Sequence, residues 1–136
     1  MANRNFNAKQ YSYEMEPVKI YARFSVGAAG AVVAGKNGLG IISVVKEATA
    51  GQYTLTFKDA FAKVMFLNAM SVDDAVSLVA KVQIFENPAT LQADFKADHK
   101  ITIQCLDFAG AAVNPANGEQ VLLEITMRQS CIGRGD

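Results

Sequence analysis

The stretch VKIYARFSV, Val18 to Val26, decides the fold class. Val18, Ile20, Ala22, Phe24 and Val26 fall on one side of an extended chain, while Lys19, Tyr21, Arg23 and Ser25 fall on the other. Successive side chains of a strand point to opposite faces, so this alternation predicts a strand with one face in a core and one face outward.

The same period recurs outward from it. IISVVK, Ile41 to Lys46, predicts a shorter strand, and Glu47-Ala48-Thr49-Ala50-Gly51 a turn into QYTLTFK. There Tyr53, Leu55 and Phe57 oppose Gln52, Thr54, Thr56 and Lys58, so the two segments form a hairpin. Phe61 to Ala69 is nearly all apolar, which predicts a strand covered on both faces. Ser71-Val72-Asp73-Asp74 reads as a helix N-cap with an acidic first turn, opening a short helix. Leu78 to Phe85 resumes strand character until Asn87-Pro88 breaks it. Leu91 to Phe95 predicts a weak strand and Ile101 to Leu106 a strong one. Asn114-Pro115-Ala116-Asn117-Gly118 is a loop leading into the alternating VLLEITMR, Val121 to Arg128. The expectation is an all-β, single-domain β-sandwich or β-barrel of about 7–8 short antiparallel strands. It spans residues 17–130, with an extended N-terminal arm at 1–16 and a C-terminal tail at 131–136.

With 136 residues, 51% of them hydrophobic, the chain can build a core without disulfides or metals. Thirteen basic and thirteen acidic side chains cancel, so no net field draws it to nucleic acid or to an anionic membrane, and neither is expected as a partner. No apolar run is long enough for a spanning helix, and MANRNFNAKQYSYEMEP lacks the apolar centre of a signal peptide. Synthesis in a cytoplasm is expected, where both cysteines stay thiols. Cys105, within the strand-like ITIQCL, reads as a small core residue, whereas Cys131 lies in the tail, where a thiol can cross-link to a neighbour.

Chemistry is sought in several places. Gly30-x-x-x-x-Gly35-Lys36 has the outline of a phosphate loop, but Asn37 stands where Ser or Thr would hold magnesium. Asn37-Gly38-Leu39-Gly40 is turn chemistry instead of the helix start such a loop requires, so a small-residue loop between two strands is expected. His99 is the only histidine, and although Asp94, Asp98 and Asp107 could share a cation with it, it reads as a solvated structural residue. Nothing sets a nucleophile beside His99, GxSxG is absent, and Asp73 and Asp74 are adjacent and therefore diverge. The tail Gly133-Arg134-Gly135-Asp136 contains the tripeptide that integrins read, a match too short to carry weight. No catalytic, cofactor-binding or metal-binding residue is assigned, and no enzyme is expected. By contrast, Gly27-Ala28-Ala29-Gly30-Ala31 and Phe108-Ala109-Gly110-Ala111-Ala112-Val113 are smooth uncharged segments that read as contact surfaces.

Two longer segments carry a family resemblance. GLGIISVVKEATAGQYTLTFKDAF, Gly38 to Phe61, and NPANGEQVLLEITMRQS, Asn114 to Ser130, resemble the strand-and-turn pattern of capsid decoration, or cement, proteins of tailed bacteriophages. The resemblance implies a structural protein on the outer surface of the virion that binds the major capsid protein and stabilises contacts between its subunits. It further implies a homo-oligomer, with a trimer favoured over a dimer. The arm is then expected to order on the shell or on an adjacent copy, with Arg4, Phe6, Tyr11 and Tyr13 as partner-binding anchors. Similar small β-domains occur in tail and fibre proteins, so the alternative is a surface β-module that binds a receptor or glycan.

Overall fold

Alternation places each strand's apolar side inward, and the chain satisfies that demand with two sheets packed face to face. The computed structural model describes residues 17–34, 38–59, 61 and 63–128. In chain order the elements are β1 (Pro17–Val26), a short 3₁₀ turn (Ala28–Gly30), β2 (Val32–Ala34), β3 (Ile41–Lys46), β4 (Gln52–Phe57), β5 (Lys63–Val72), β6 (Lys81–Ile84), α1 (Leu91–Asp98), β7 (Lys100–Leu106) and β8 (Gln120–Arg128). Sheet A has the order β2-β1-β8-β5 and sheet B the order β3-β4-β7-β6, every pairing being antiparallel. The expected all-β sandwich is therefore the observed architecture, with eight strands.

β8 is the spine of sheet A. Its residues pair with β1 from Pro17↔Arg128 to Ser25↔Gln120, and on the other side with β5 from Lys63↔Arg128 to Val72↔Gln120. Ile20, Ala22, Phe24 and Val26 of β1 meet Val121, Leu123, Ile125 and Met127 of β8 in the core, against Tyr53, Leu55 and Phe57 of β4 and Ile101, Ile103 and Cys105 of β7. At one end Phe95 of α1 closes the core, its ring edge-on to Phe57 at 5.5 Å.

Three expectations are corrected. Leu91 to Phe95 is helical, not a strand, because Leu91 and Phe95 fall one helical turn apart and bury the same side, with Thr90 at the N-cap. Ser71 to Asp74 does not open a helix: β5 runs through Val72, and the Ser71 hydroxyl donates to Ser77 Oγ at 2.9 Å instead of capping a backbone amide. Nor is the apolar run from Phe61 to Ala69 covered on both faces by the described residues. The pairing slips between Val64 and Phe66, so Val64 and Leu67 turn inward while Met65 and Phe66 both turn out.

Candidate functional site

The two segments that the sequence marks as contact surfaces lie about eighty positions apart, and the fold brings them to one end of the sandwich around Asn114. The Asn114 side chain accepts from the Gly51 N–H through Oδ1 at 2.7 Å and donates through Nδ2 to the Ala29 carbonyl at 3.4 Å. It thereby ties together the β1–β2 turn, the β3–β4 turn and the β7–β8 loop. Glycine is required at both turns it touches. Gly30 has φ +77° and a Cβ there would stand 2.7 Å from Asn114 Cγ, while Gly51 has φ +72° and a Cβ there would stand 2.5 Å from the Val113 carbonyl oxygen.

Beneath this clasp the turns are anchored in the core. The buried Tyr53 hydroxyl donates to the Gly30 carbonyl at 2.7 Å, and its ring packs on Phe24 at 4.9 Å between centroids. Burial raises the Tyr53 phenol above its ordinary range, and Cys105 and Glu119 add to the shift, so the hydroxyl remains a donor. Cys105 is a buried core residue, as expected; burial and then the Glu119 carboxylate push its thiol up to about 12.

A second clasp holds the same loop from below. Fully buried Glu119 accepts from Ser77 Oγ through one oxygen and from the Ala116 N–H through the other at 2.7 Å. Its own carbonyl accepts from the Val26 N–H at 2.9 Å. Asp107 braces the β7 end, accepting from the Ala109 and Ala111 amides, each at 2.9 Å. The alanines of both turns, Ala28, Ala29 and Ala31 on one side of Asn114 and Ala109, Ala111 and Ala112 on the other, are exposed, and Phe108 projects with 84% of its area in solvent. A large exposed aromatic on a small, uncharged platform has the chemistry of a protein contact.

The other sequence-level candidates fall as follows. Gly30 does not open a phosphate loop among the described residues: its N–H is bonded within the turn to the Gly27 carbonyl, and the chain continues into β2, not a helix. Gly35, Lys36 and Asn37 lie outside the described residues. His99 is half-buried, not fully solvated; it is the left-handed C-cap of α1 (φ 59°), donating its N–H to the Phe95 carbonyl and accepting from the Phe57 N–H. Asp98 accepts from the Lys100 N–H and Asp107 braces its own loop, and no cluster of three metal-ligating side chains occurs among the described residues. Arg4, Phe6, Tyr11 and Tyr13, like Cys131, lie outside the described residues.

Asn114 and Glu119 are structural supports that sequence reading missed, since each looks like an ordinary loop residue until partners up to 85 positions away are known. The sheets also differ on their outward sides. In sheet B, Thr54 donates to Glu47 at 2.6 Å and lies 3.2 Å from Thr102, in polar rows continued by Gln52, Gln83 and Gln104. In sheet A, the outward row of β5 is Phe66, Asn68, Met70 and Val72, with Leu122 and Tyr21 in the neighbouring strands. Comparison with known proteins found no matching family model, no similar curated protein and no similar solved structure.

Proposed function

We propose that this chain is a structural virion protein, a decoration protein that binds the outer surface of a bacteriophage capsid and stabilises contacts between major-capsid subunits. The observation that carries this reading is the end surface around Asn114, where three connections are pinned into an uncharged platform bearing exposed Phe108. A platform held by its own hydrogen bonds loses little conformational freedom on docking, so modest contact area suffices for attachment. Copies joined as a homo-oligomer, a trimer in the favoured arrangement, engage neighbouring capsid sites at high effective concentration. A ligand that binds only the expanded shell stabilises it by mass action.

The test is co-sedimentation with emptied, expanded shells of the phage that encodes the chain. The full chain is expected to pellet at near-stoichiometric ratio to the capsid protein and to raise the temperature at which shells open. Phe108→Asp, on an exposed loop tip, is expected to abolish pelleting while leaving the protein's own unfolding temperature unchanged. Absence of the chain from purified particles, or its presence at only a few copies as in a fibre, overturns the reading.

A further inference from the structure

A buried carboxylate with no cation beside it is costly, so a chain that keeps one gains something from where it sits. Glu119 is fully buried, and among the described residues no Lys or Arg pairs with it. Its hydrogen bonds hold two connections at once, the β7–β8 loop at Ala116 and the β5–β6 loop at Ser77. Ser77 in turn accepts from the Val79 N–H at 3.0 Å and from the Ser71 hydroxyl at 2.9 Å, and the Ala80 N–H donates to the Leu106 carbonyl at 2.8 Å. The β5–β6 loop has no helix or strand of its own, yet it is fastened around an apolar tip: Val76 is 87% exposed and Leu78 53%. Leu78 stands two positions before Ala80 and Phe108 two positions after Leu106, so the two loops leave the neighbouring strands β6 and β7 side by side. Exposed apolar tips fixed from beneath suit a contact surface, and a loop that only meets water has no need of them.

Charge indicates what lies opposite. Residues 73–80 and 107–119 contain four carboxylates, Asp73, Asp74, Asp107 and Glu119, and no Lys, Arg or His, although the chain as a whole carries thirteen basic and thirteen acidic side chains. Lys81, which opens β6, borders the first of these loops, and among the described residues neither Asp73 nor Asp74 pairs with a cation. We propose that Val76 and Leu78 dock together with Phe108 on the major capsid protein, against a surface that is apolar at its centre and carries Lys or Arg opposite Asp73 and Asp74. The inference rests on the capsid reading and adds to it a second loop and the charge of the partner. Three exposed side chains supply the apolar centre, and the two aspartates form a rim that speeds encounter with a basic surface and rejects an acidic one. The Glu119 bonds hold the two loops in place before docking, which lowers the ordering cost of binding.

The test is co-sedimentation with emptied, expanded shells across a salt series, using the full chain, Val76→Ser/Leu78→Ser and Asp73→Asn/Asp74→Asn. Wild-type affinity is expected to fall roughly tenfold between about 0.05 and about 0.5 M sodium chloride, as the charge pairs are screened. Asp73→Asn/Asp74→Asn is expected to lose most of that salt dependence. Val76→Ser/Leu78→Ser is expected to bind roughly tenfold more weakly at every salt concentration, with the salt dependence kept. The unfolding temperature of each variant is expected to match the wild type, so that a lost complex is not a lost fold. Wild-type pelleting that both variants match in affinity and in salt dependence overturns this inference and leaves the capsid reading standing. Wild-type binding that salt leaves unchanged or strengthens overturns it equally, since no cationic surface then lies opposite. Failure of the wild type to pellet at any salt concentration overturns the capsid reading itself, and this inference with it.

Discussion

The two outward faces of the sandwich are built on the same strand geometry yet treat water differently. On sheet B the central strands present Gln52, Thr54 and Thr56 beside Lys100, Thr102 and Gln104; the Thr54 and Thr102 hydroxyls lie 3.2 Å apart, Glu47 takes the Thr54 hydroxyl and Glu86 takes the Thr102 N–H at 2.8 Å. On sheet A the side nearest β5 presents Phe66, Met70, Val72 and Leu122 around Asn68, with the Lys19–Glu124 ion pair at 3.6 Å farther across the face. The core is shared, so it explains neither face. The difference is that the central strands of sheet B carry a polar ladder among the described residues, whereas the outward row of β5 in sheet A is largely apolar and exposed.

The largest expected effect tests the premise that both sheets depend equally on one core. Leu55→Ala, in sheet B, and Ile125→Ala, in sheet A, each empty a fully buried site, and each is expected to cost about 3 kcal/mol. For a domain of this size that lowers Tm by about 10 °C, measured by calorimetry. A loss at one site several times that at the other would show that the sheets are separately stabilised, and the faces would then need separate explanations.

Next in size is the Glu119 clasp. Glu119→Ala leaves the Ser77 hydroxyl and the Ala116 N–H without their buried acceptor, at a cost of about 2–3 kcal/mol. Glu119→Gln keeps the shape and one acceptor oxygen and is expected to cost about half as much in urea unfolding. Equal losses would mean that packing, not acceptance of hydrogen bonds, is what the side chain supplies. Asn114→Ala, which frees the Gly51 N–H and the Ala29 carbonyl nearer to solvent, is expected to cost about 1 kcal/mol.

Alternation made most of the fold legible, and the failures share a physical cause. β1, β4 and β8 show period-2 burial, interrupted in β8 where Met127 and Arg128 are both buried, so Val18 to Val26, Gln52 to Phe57 and Val121 to Arg128 could be assigned from the residues alone. β5 misled because a slip in pairing puts Met65 and Phe66 on the same side, and two consecutive outward apolar residues imitate a strand buried on both faces. Leu91 to Phe95 misled because a segment of five residues fits either period, and the burial of Phe95 beside Phe57 settles it only in three dimensions. Gly27–Ala31 and Phe108–Val113 were legible from their composition as smooth, uncharged segments. That Asn114 links one to the loop that carries the other was not, since it depends on where Asn114 falls once β7 and β8 have paired into different sheets.

A smaller effect appears at alkaline pH. The Cys105 thiol, ordinarily near 9.0, is pushed up to about 12 in the folded protein, so above pH 9 the unfolded chain releases a proton that the folded chain keeps. The folded state then binds more protons than the unfolded one, and stability falls as pH rises. The contribution is fully present below about 9 and is lost as pH climbs from there through about 12. Tyr53 acts in the same direction. The urea midpoint is expected to decline from pH 9 upward, and less steeply in Cys105→Ser; an identical slope would remove Cys105 from the cause.

The smallest effect separates the faces most sharply. Thr54→Val, on sheet B, removes the bond to Glu47 and the contact with Thr102, and is expected to cost about 0.5–1 kcal/mol. Phe66→Ser, on sheet A, removes an aromatic that is 59% exposed, and in the isolated domain the change is expected to stay within about 0.5 kcal/mol. An outward polar residue would then matter more to folding than an outward phenylalanine, the reverse of the usual ranking. That inversion is the signature of an aromatic selected for contact and not for the core. If Phe66→Ser instead destabilises the full chain by as much as a core truncation, the side chain contributes to folding as a covered residue does, and the contrast between the two faces fails.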